Sequence, residues 1–587
     1  MAYEYAFVHL EYTIPLATFL TLVSRSVLTR QDLYKTLIVI AVAFSATLPW
    51  DSYLIRHGIW TYPPAAVLGP RLFGIPVEEL FFFVIQTYTT SILYLLLNKP
   101  ILHAQYLTNR SDVSFRIRFA KVIGQVLLLF AAVTGVVLIR KRGEGTYIGL
   151  ILAWACPFAL LTWTSSGYYV MKMPLVYIAM PILFPTLYLW VVDELALGRG
   201  TWAIESGTKL DWCLWGSLEL EEAAFFLSTN ALIVFALVAL DRGMAVLDTF
   251  PHLFIDDPSP VRLIKAILMD PAKYDMARVR GIREAVCILG KKSRSFYLAS
   301  AVFPGRLRLD LVVLYAFCRV ADDLIDDSDT EAEALAWIQK LTRYIDLAYS
   351  RSNKEVGSND AVMAFVEANF PIPAHSALAL LPTELLPSGP LYQLLEGFRM
   401  DLDFSGGKFP ILDETALETY AHRVASTVGE LCLWLVFHHA PEGLSGDRKS
   451  KLIQAAITMG RSLQYVNIAR DIQVDAEMGR VYLPLDWLKE EGLTPQDILN
   501  DPAEPRALLL RQRLLDLAFR EYAKARPTME LLNDETRGPL IVAVESYMEI
   551  GRVLQEKRGG TFKATKKRAT VPRLRRLWVA WKTLAAS

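Results

Sequence analysis

Residues 1–240 hold seven runs of mostly apolar residues, roughly 3–23, 33–50, 77–97, 119–139, 147–165, 171–192 and 218–240, each near the length that carries a helix across a bilayer. No other feature narrows the fold so far. The N-terminus MAYEYAFVHLEY lacks a positive n-region, so the first run is read as a retained anchor rather than a signal peptide. Lys and Arg in the connections (Arg25, Arg30, Lys99, Arg110, Arg116, Arg118, against Arg140, Lys141 and Arg142) favour an N-terminus outside and a C-terminus in the cytosol. The mean hydropathy of +0.29 averages two unlike halves, because residues 280–556 read as an ordinary charged domain.

Two of the apolar runs begin with paired acids, in GIPVEELFFF at 74–83 and SLELEEAAFF at 217–226. A charge at mid-bilayer costs about 2.5–3.5 kcal/mol on insertion scales, so acids retained in spans point to function. An ion pathway, carboxylates resting at the interface, and an acid catalyst all remain open; the position of each pair at the head of its run favours the last two. A proton-donating carboxyl must keep its proton near neutral pH. The helix N-terminus opposes this by about 0.3–1 kcal/mol, whereas exclusion of water favours it by up to about 4–7 kcal/mol. Neighbours on a helix point about 100° apart, so one acid of each pair faces a cavity. Glu78 and Glu221 are the expected ones, with Glu79 and Glu222 beside them. Phe81, Phe82, Phe83, Trp60 and Trp202 would offer π faces to a cation.

The two glutamate pairs belong to a faint internal repeat. A shift of 142 aligns Pro15 with Pro157, Asp51 with Asp193, Gly58 with Gly200 and Trp60 with Trp202, and a shift of 143 aligns Glu78, Glu79, Phe82 and Phe83 with Glu221, Glu222, Phe225 and Phe226. Runs three and seven, four apart, enter a bilayer from the same side. The expected layout is two parallel three-helix units joined by the fourth span.

The segment FPHLFIDDPSP breaks the pattern after Asp241, and from about 262 to 556 the spacing is helical throughout, with no alternating strand signal. In ADDLIDD, Asp322 and Asp326 share one helix face, as do Asp323 and Asp327; in NIARDIQVD, Asn467, Asp471 and Asp475 form another continuous face. One acidic stripe is usually a solvated surface, but these two are embedded among apolar residues, where unpaired carboxylates are costly. Oxygen ligands in this arrangement suit Mg²⁺, or Mn²⁺, completed by waters and a substrate diphosphate. Basic residues stand near both stripes: Lys291, Lys292 and Arg294, with Ser293, in KKSRSF, then Arg319, Arg470 and Arg480. They and the metal would stabilise a departing diphosphate, and Phe296, Tyr315 and Tyr420 could shield the allylic cation left behind.

The order SRSF, DDLID, MDL at 400–402, YAHRVASTVGE at 420–430, NIARDIQVD and GRVYLP resembles the head-to-head prenyl synthases, phytoene synthase and squalene synthase, over residues 281–556. The resemblance implies an isoprenoid-synthase fold with Asp322, Asp323, Asp326, Asp471 and Asp475 as metal carboxylates and Asn467 beside them. SGGKFP at 405–410 departs from the Arg-Tyr pair usual in phytoene synthases. PVEE resembles the PxEE signature of membrane lycopene cyclases, although Glu219 replaces the proline in the second copy. Together the halves are similar to the fungal bifunctional lycopene cyclase/phytoene synthases. That implies condensation of two geranylgeranyl diphosphates to phytoene and acid-catalysed, non-redox closure of lycopene ends to β-ionone rings.

The expected fold is all-α, with a membrane cyclase domain over 1–243, a linker over 244–261, a synthase domain over 262–556 and a basic tail over 557–587. The tail has ten basic residues and no acid, and its last part reads either as a helix on an anionic membrane or as a disordered end. Lys plus Arg and Asp plus Glu balance at 61 each, which gives no sign of a nucleic-acid partner. The five cysteines show no CxxC spacing, and no G-x-G-x-x-G occurs, so no flavin or nicotinamide site is recognised. The partners expected are geranylgeranyl diphosphate, lycopene, an endomembrane bilayer and a separate phytoene desaturase. The rival reading is a squalene-synthase-like enzyme fused to a seven-span transporter or receptor; the seventh run has no lysine for a retinal Schiff base.

Overall fold

The computed structural model describes residues 3–255, 258–303, 305–350, 358–404, 407–440, 444–556 and 571–586. The chain divides into two compact units, Met1–Val279 and Arg280–Ser587.

In the first unit seven helices are long and apolar enough to cross a membrane: α1 (Glu4–Ser24), α2 (Arg30–Arg56), α3 (Val77–Asn98), α4 (Phe115–Lys141), α5 (Thr146–Lys172), α6 (Val176–Gly198) and α7 (Leu220–Thr249). Each coincides with one apolar run. Thr29 starts α2 with a capping box, its hydroxyl accepting from the Asp32 amide while the Asp32 carboxylate accepts from the Thr29 amide. Pro49, Pro157, Pro181 and Pro185 stand inside α2, α5 and α6, a frequency that suits helices whose neighbours satisfy the freed carbonyls. α4 buries only 6% of its apolar window. It packs on α5 through Gly135 and Gly149: a Cβ on Gly135 would sit 2.6 Å from the Gly149 carbonyl oxygen, so only glycine allows so close a crossing.

The repeat is visible in the backbone. Gly58 and Gly200, at φ 63° and 70°, follow the ends of α2 and α6, the left-handed position where glycine ends a helix without a Cβ penalty. Beyond them β1 (Trp60–Thr61) pairs antiparallel with a strand of the other repeat. A hairpin of β2 (Arg71–Leu72) and β3 (Ile75–Pro76) leads into α3. The partner of β1 is β4 (Ala203–Ile204), with Trp60 opposite Ile204 and Thr61 opposite Ala203. A second hairpin, β5 (Cys213–Trp215) and β6 (Leu218–Glu219), leads into α7. Strands of two or three residues are too short to show an alternation, so the sequence gives no sign of them. Away from the hairpins, Lys35 pairs with Asp32 at 3.0 Å and Asp241 at 2.8 Å, and Lys99 with Asp32 at 2.7 Å, joining α2, α7 and the end of α3.

The first unit extends past the 244–261 segment expected as a linker. Arg242 is buried and donates to the carbonyls of Ser165 at 2.5 Å, Ile267 at 3.2 Å and Met269 at 3.0 Å. An unpartnered buried guanidinium would be costly, so helix α8 (Ser259–Leu268) folds back onto α7, and the unit ends at Val279.

Among the described residues of the second unit the regular structure is all helical. Its helices include α9 (Gly305–Asp326), α10 (Ser388–Leu402), α11 (Thr427–His439), α12 (Gly446–Glu477), α13 (Pro505–Ala525), α14 (Asp534–Glu556) and α15 (Arg573–Ala586); all of these but α13, which packs behind α12, line its cavity. Leu307, Leu311, Leu314, Phe317, Ala321 and Ile325 place one face of α9 in the core, the 3–4 spacing of an amphipathic helix. α12 passes close to a π turn at His422–Ser426, where a Cβ on Gly460 would lie 2.5 Å from the Ser426 Cα.

Candidate active sites

In the first unit the carboxyls of Glu79 and Glu222, with Asp193, line one small cavity whose other walls include Trp60, Trp202, Phe82, Phe225 and Phe226. Among the described residues no Lys, Arg or His lines it. Its volume is about 30 Å³, room for about two waters. Glu79 accepts hydrogen bonds from the hydroxyls of Tyr5 and, at 2.9 Å, Tyr62. Glu222 accepts from the Tyr147 hydroxyl at 2.6 Å.

The other acid of each pair turns away. Glu78 accepts from the Leu68 amide at 2.6 Å, and Glu221 from the Leu210 amide at 2.7 Å. The expectation that Glu78 and Glu221 face the cavity is therefore corrected. The loop before each hairpin folds over the helix start and engages the first glutamate, which leaves the second, about 100° around the helix, pointing inward.

Sequence reading missed the groups around these acids. Tyr5 and Tyr147 are related by the same shift of 142 that relates Asp51 to Asp193, and the four positions could have been found together. Asp51 and Asp193 are 0% and 1% exposed. Their carboxyl oxygens lack well-formed hydrogen bonds, although the Trp202 ring stands beside Asp193.

In the second unit a cavity of about 1030 Å³ is lined by Asp322, Asp326, Asn467, Asp471 and Asp475, together with Lys292, Ser293, Tyr315, Arg319, Tyr420, Arg470 and Arg480. Both acidic stripes thus reach one space. Asp323 does not line it, and pairs with Arg319 at 2.5 Å and Lys292 at 3.1 Å. Arg319 also pairs with Asp322 at 2.7 Å, Arg480 with Asp326 at 2.9 Å and Arg470 with Asp471 at 2.6 Å, while Arg470 and, at 3.0 Å, Tyr547 donate to Asn467. The Ser293 hydroxyl accepts from the Phe296 amide at 3.4 Å, capping the helix that follows. Phe296 stacks on Tyr315 with ring centres 5.6 Å apart. The side chain of Arg294 and residues 405–406 lie outside the described residues.

Burial, and then the neighbouring Asp326, push the Asp322 carboxyl up to about 7. Asp401, whose role the sequence left unassigned, is also pushed up by burial, to about 6; it accepts from Tyr482 at 2.7 Å and Tyr420 at 3.3 Å. Among the described residues no three acid, His or Cys side chains sit close enough to hold a metal by themselves. Each stripe instead offers two carboxylates to the cavity, a donor set that fits Mg²⁺ when waters and diphosphate oxygens complete it.

Residues 289–575 match the squalene/phytoene synthase family, and residues 4–97 the lycopene cyclase family. A bifunctional lycopene cyclase/phytoene synthase of Colletotrichum graminicola is 55% identical over 590 residues, covering 100% of both chains. One of Podospora anserina is 53% identical over 594 residues, again covering 100% of both. A solved dehydrosqualene synthase aligns with 52% of this chain and 96% of its own, at 26% identity and a TM-score of 0.41.

Proposed function

This chain belongs to the family of bifunctional lycopene cyclase/phytoene synthases, and we propose that each of its two compact units holds one of the two reactions. The enzyme condenses two geranylgeranyl diphosphates to phytoene and cyclises lycopene ends to β-ionone rings, as in γ- and β-carotene. The observation that carries the division is how the acids are kept. In the first cavity they stand among aromatic rings with no cation among the described lining residues; in the second they are interleaved with Arg319, Arg470 and Arg480.

In the cyclase, Glu79 and Glu222 supply and recover one proton. A carboxyl protonates the terminal double bond of lycopene, the next double bond attacks the tertiary cation to close the ring, and a carboxylate takes the proton that leaves the ring. Glu222, with one phenol donor, is assigned donation. Glu79, with two, is assigned recovery, because hydrogen bonds donated to a carboxylate favour its charged form. The rings of Trp60, Trp202 and Phe225 face the passing cation.

In the synthase, Asp322, Asp326, Asn467, Asp471 and Asp475 would hold Mg²⁺ or Mn²⁺, with Asp323 at the rim. When bound, the ions neutralise the diphosphate and ease its departure. Arg319, Arg470 and Arg480, now paired with those aspartates, turn to the diphosphate oxygens, with Ser293 and Lys292 lining the same cavity. Tyr315, Tyr420 and Phe296 shield the allylic cation, while Asp401 orients Tyr420 and Tyr482.

The seven apolar helices cross an endomembrane with the N-terminus outside and the synthase and C-terminus in the cytosol. Phytoene must be desaturated before it can be cyclised, so a separate desaturase works at the same membrane; cyclic product from geranylgeranyl diphosphate in cells lacking one would overturn that. The central test supplies membranes with geranylgeranyl diphosphate and Mg²⁺, and separately with lycopene. Asp322→Ala should abolish phytoene and spare ring closure, and Glu79→Gln the reverse. Loss of both activities in either variant would refute the division.

A further inference from the structure

Helix α15 is divided lengthwise. Its inner side is held to the second unit. Val571, just before it, is buried, Arg575 pairs with Glu549 at 2.5 Å and Glu556 at 2.6 Å on α14, and Arg573 and Arg576 line the synthase cavity. Its outer side is apolar: Leu574, Leu577, Trp578 and Trp581 recur at the 3–4 spacing of one stripe and are 81%, 55%, 60% and 36% exposed. Trp578 and Trp581 stack with ring centres 5.5 Å apart.

Four large apolar side chains in a row make a patch of the kind that marks an interaction surface. The chemistry of this one points to lipid. Trp concentrates where hydrocarbon meets headgroup. Lys582, roughly 90° from the stripe at 100° per residue, would meet anionic headgroups, and residues 571–586 contain no acid. A helix with this division lies in the plane of an interface. Resting on the reading that the first unit spans a bilayer, the same polypeptide brings its own lipid surface.

We propose that α15 docks on the membrane and forms the lip over which phytoene passes from the synthase cavity into lipid. The product is a hydrocarbon with no polar group, and its release into water would expose its whole apolar length. With Arg573 and Arg576 at the cavity and Trp578 and Trp581 in the interface, one helix borders both the place where phytoene forms and the only solvent that will take it.

The test uses the full-length chain in vesicles of phosphatidylcholine and phosphatidylserine that contain a trace of photoactivatable phospholipid, with adducts mapped by mass spectrometry. Adducts are expected along α1–α7 and on residues 574–581, the latter falling when phosphatidylserine is omitted. A Leu577→Asp/Trp578→Asp variant should lose them. It should keep the first turnover of geranylgeranyl diphosphate but slow steady-state phytoene formation about tenfold, as when product release limits turnover. Leu577→Met/Trp578→Phe should restore the rate. Adducts on α1–α7 with none on α15, or links between two copies of α15 in their place, overturn the docking and leave the anchoring intact. Absence of adducts on α1–α7 overturns the anchoring itself. An unchanged steady-state rate in the aspartate variant overturns the exit route.

Discussion

Glu79 and Glu222, each in the first turn of its helix and each from a different repeat, line a single cavity. Doubling the three-helix unit has therefore not doubled the site. It has given one site a glutamate from each repeat, which suits the proposed reaction, in which one proton is added and one removed.

Glu79→Gln or Glu222→Gln should each lower ring formation by about 10²–10⁴, the usual contribution of a positioned acid or base, with phytoene synthesis in the same membranes unchanged. Glu78→Gln and Glu221→Gln weaken only a hydrogen bond to a backbone amide, worth about 1–3 kcal/mol in stability. Their effect on ring formation should be much smaller. Equal losses at Glu78 and Glu79, measured as cyclic product from lycopene, would rule out the inward assignment.

Asp51 and Asp193 carry buried carboxyls without well-formed partners, an arrangement that strains stability in favour of function. Asn at either position should raise the thermal unfolding midpoint of the detergent-solubilised protein, by about 1–3 kcal/mol in free energy, and slow ring closure. A variant that loses stability along with activity would instead mark the aspartate as structural.

The pH dependence of metal binding follows from Asp322. Its carboxyl is pushed from an ordinary 3.8 to about 7, so between those values the metal-free folded protein holds a proton that the unfolded chain does not. Stability of the metal-free state should fall as pH rises through that window. Because a metal takes the carboxylate form, binding displaces the proton, and Mg²⁺ should raise the unfolding midpoint more at pH 8 than at pH 6. An equal shift at both pH values would count against Asp322 as a ligand.

Gly135→Leu should separate α4 from α5, since even a Cβ there would meet the Gly149 carbonyl oxygen at 2.6 Å. Overpacking of this kind costs about 1–3 kcal/mol, read as a lower unfolding midpoint. Leu at Gly145, where a Cβ meets only the end of the flexible Leu138 side chain at 3.1 Å, should cost less.

The number of apolar helices, the repeat and both acidic stripes were legible because each depends on local period or spacing. Asp322 and Asp326 share a helix face whatever the rest of the chain does. Which acid of each Glu pair faces inward was not legible, because it turns on whether the Leu68 and Leu210 amides reach back to the helix start, a matter of loop geometry. Tyr62 was missed for the same reason: it joins Glu79 from a segment with no periodicity. Nor could the domain boundary be read from composition. FPHLFIDDPSP looks like a linker, yet the carbonyls just beyond it satisfy Arg242, and that need lies outside any sequence window.

The short β1–β4 ladder carries a consequence for how such a chain arose. Thr61 pairs with Ala203, which is its own counterpart under the shift of 142, and Trp60 pairs with Ile204, the counterpart of Tyr62. A residue paired with its own copy is what a two-fold axis between the repeats would place there, the relation of an isologous contact between identical subunits. The ladder thus ties the two repeats to each other inside one polypeptide, and the two halves expressed as separate polypeptides should still find one another across it.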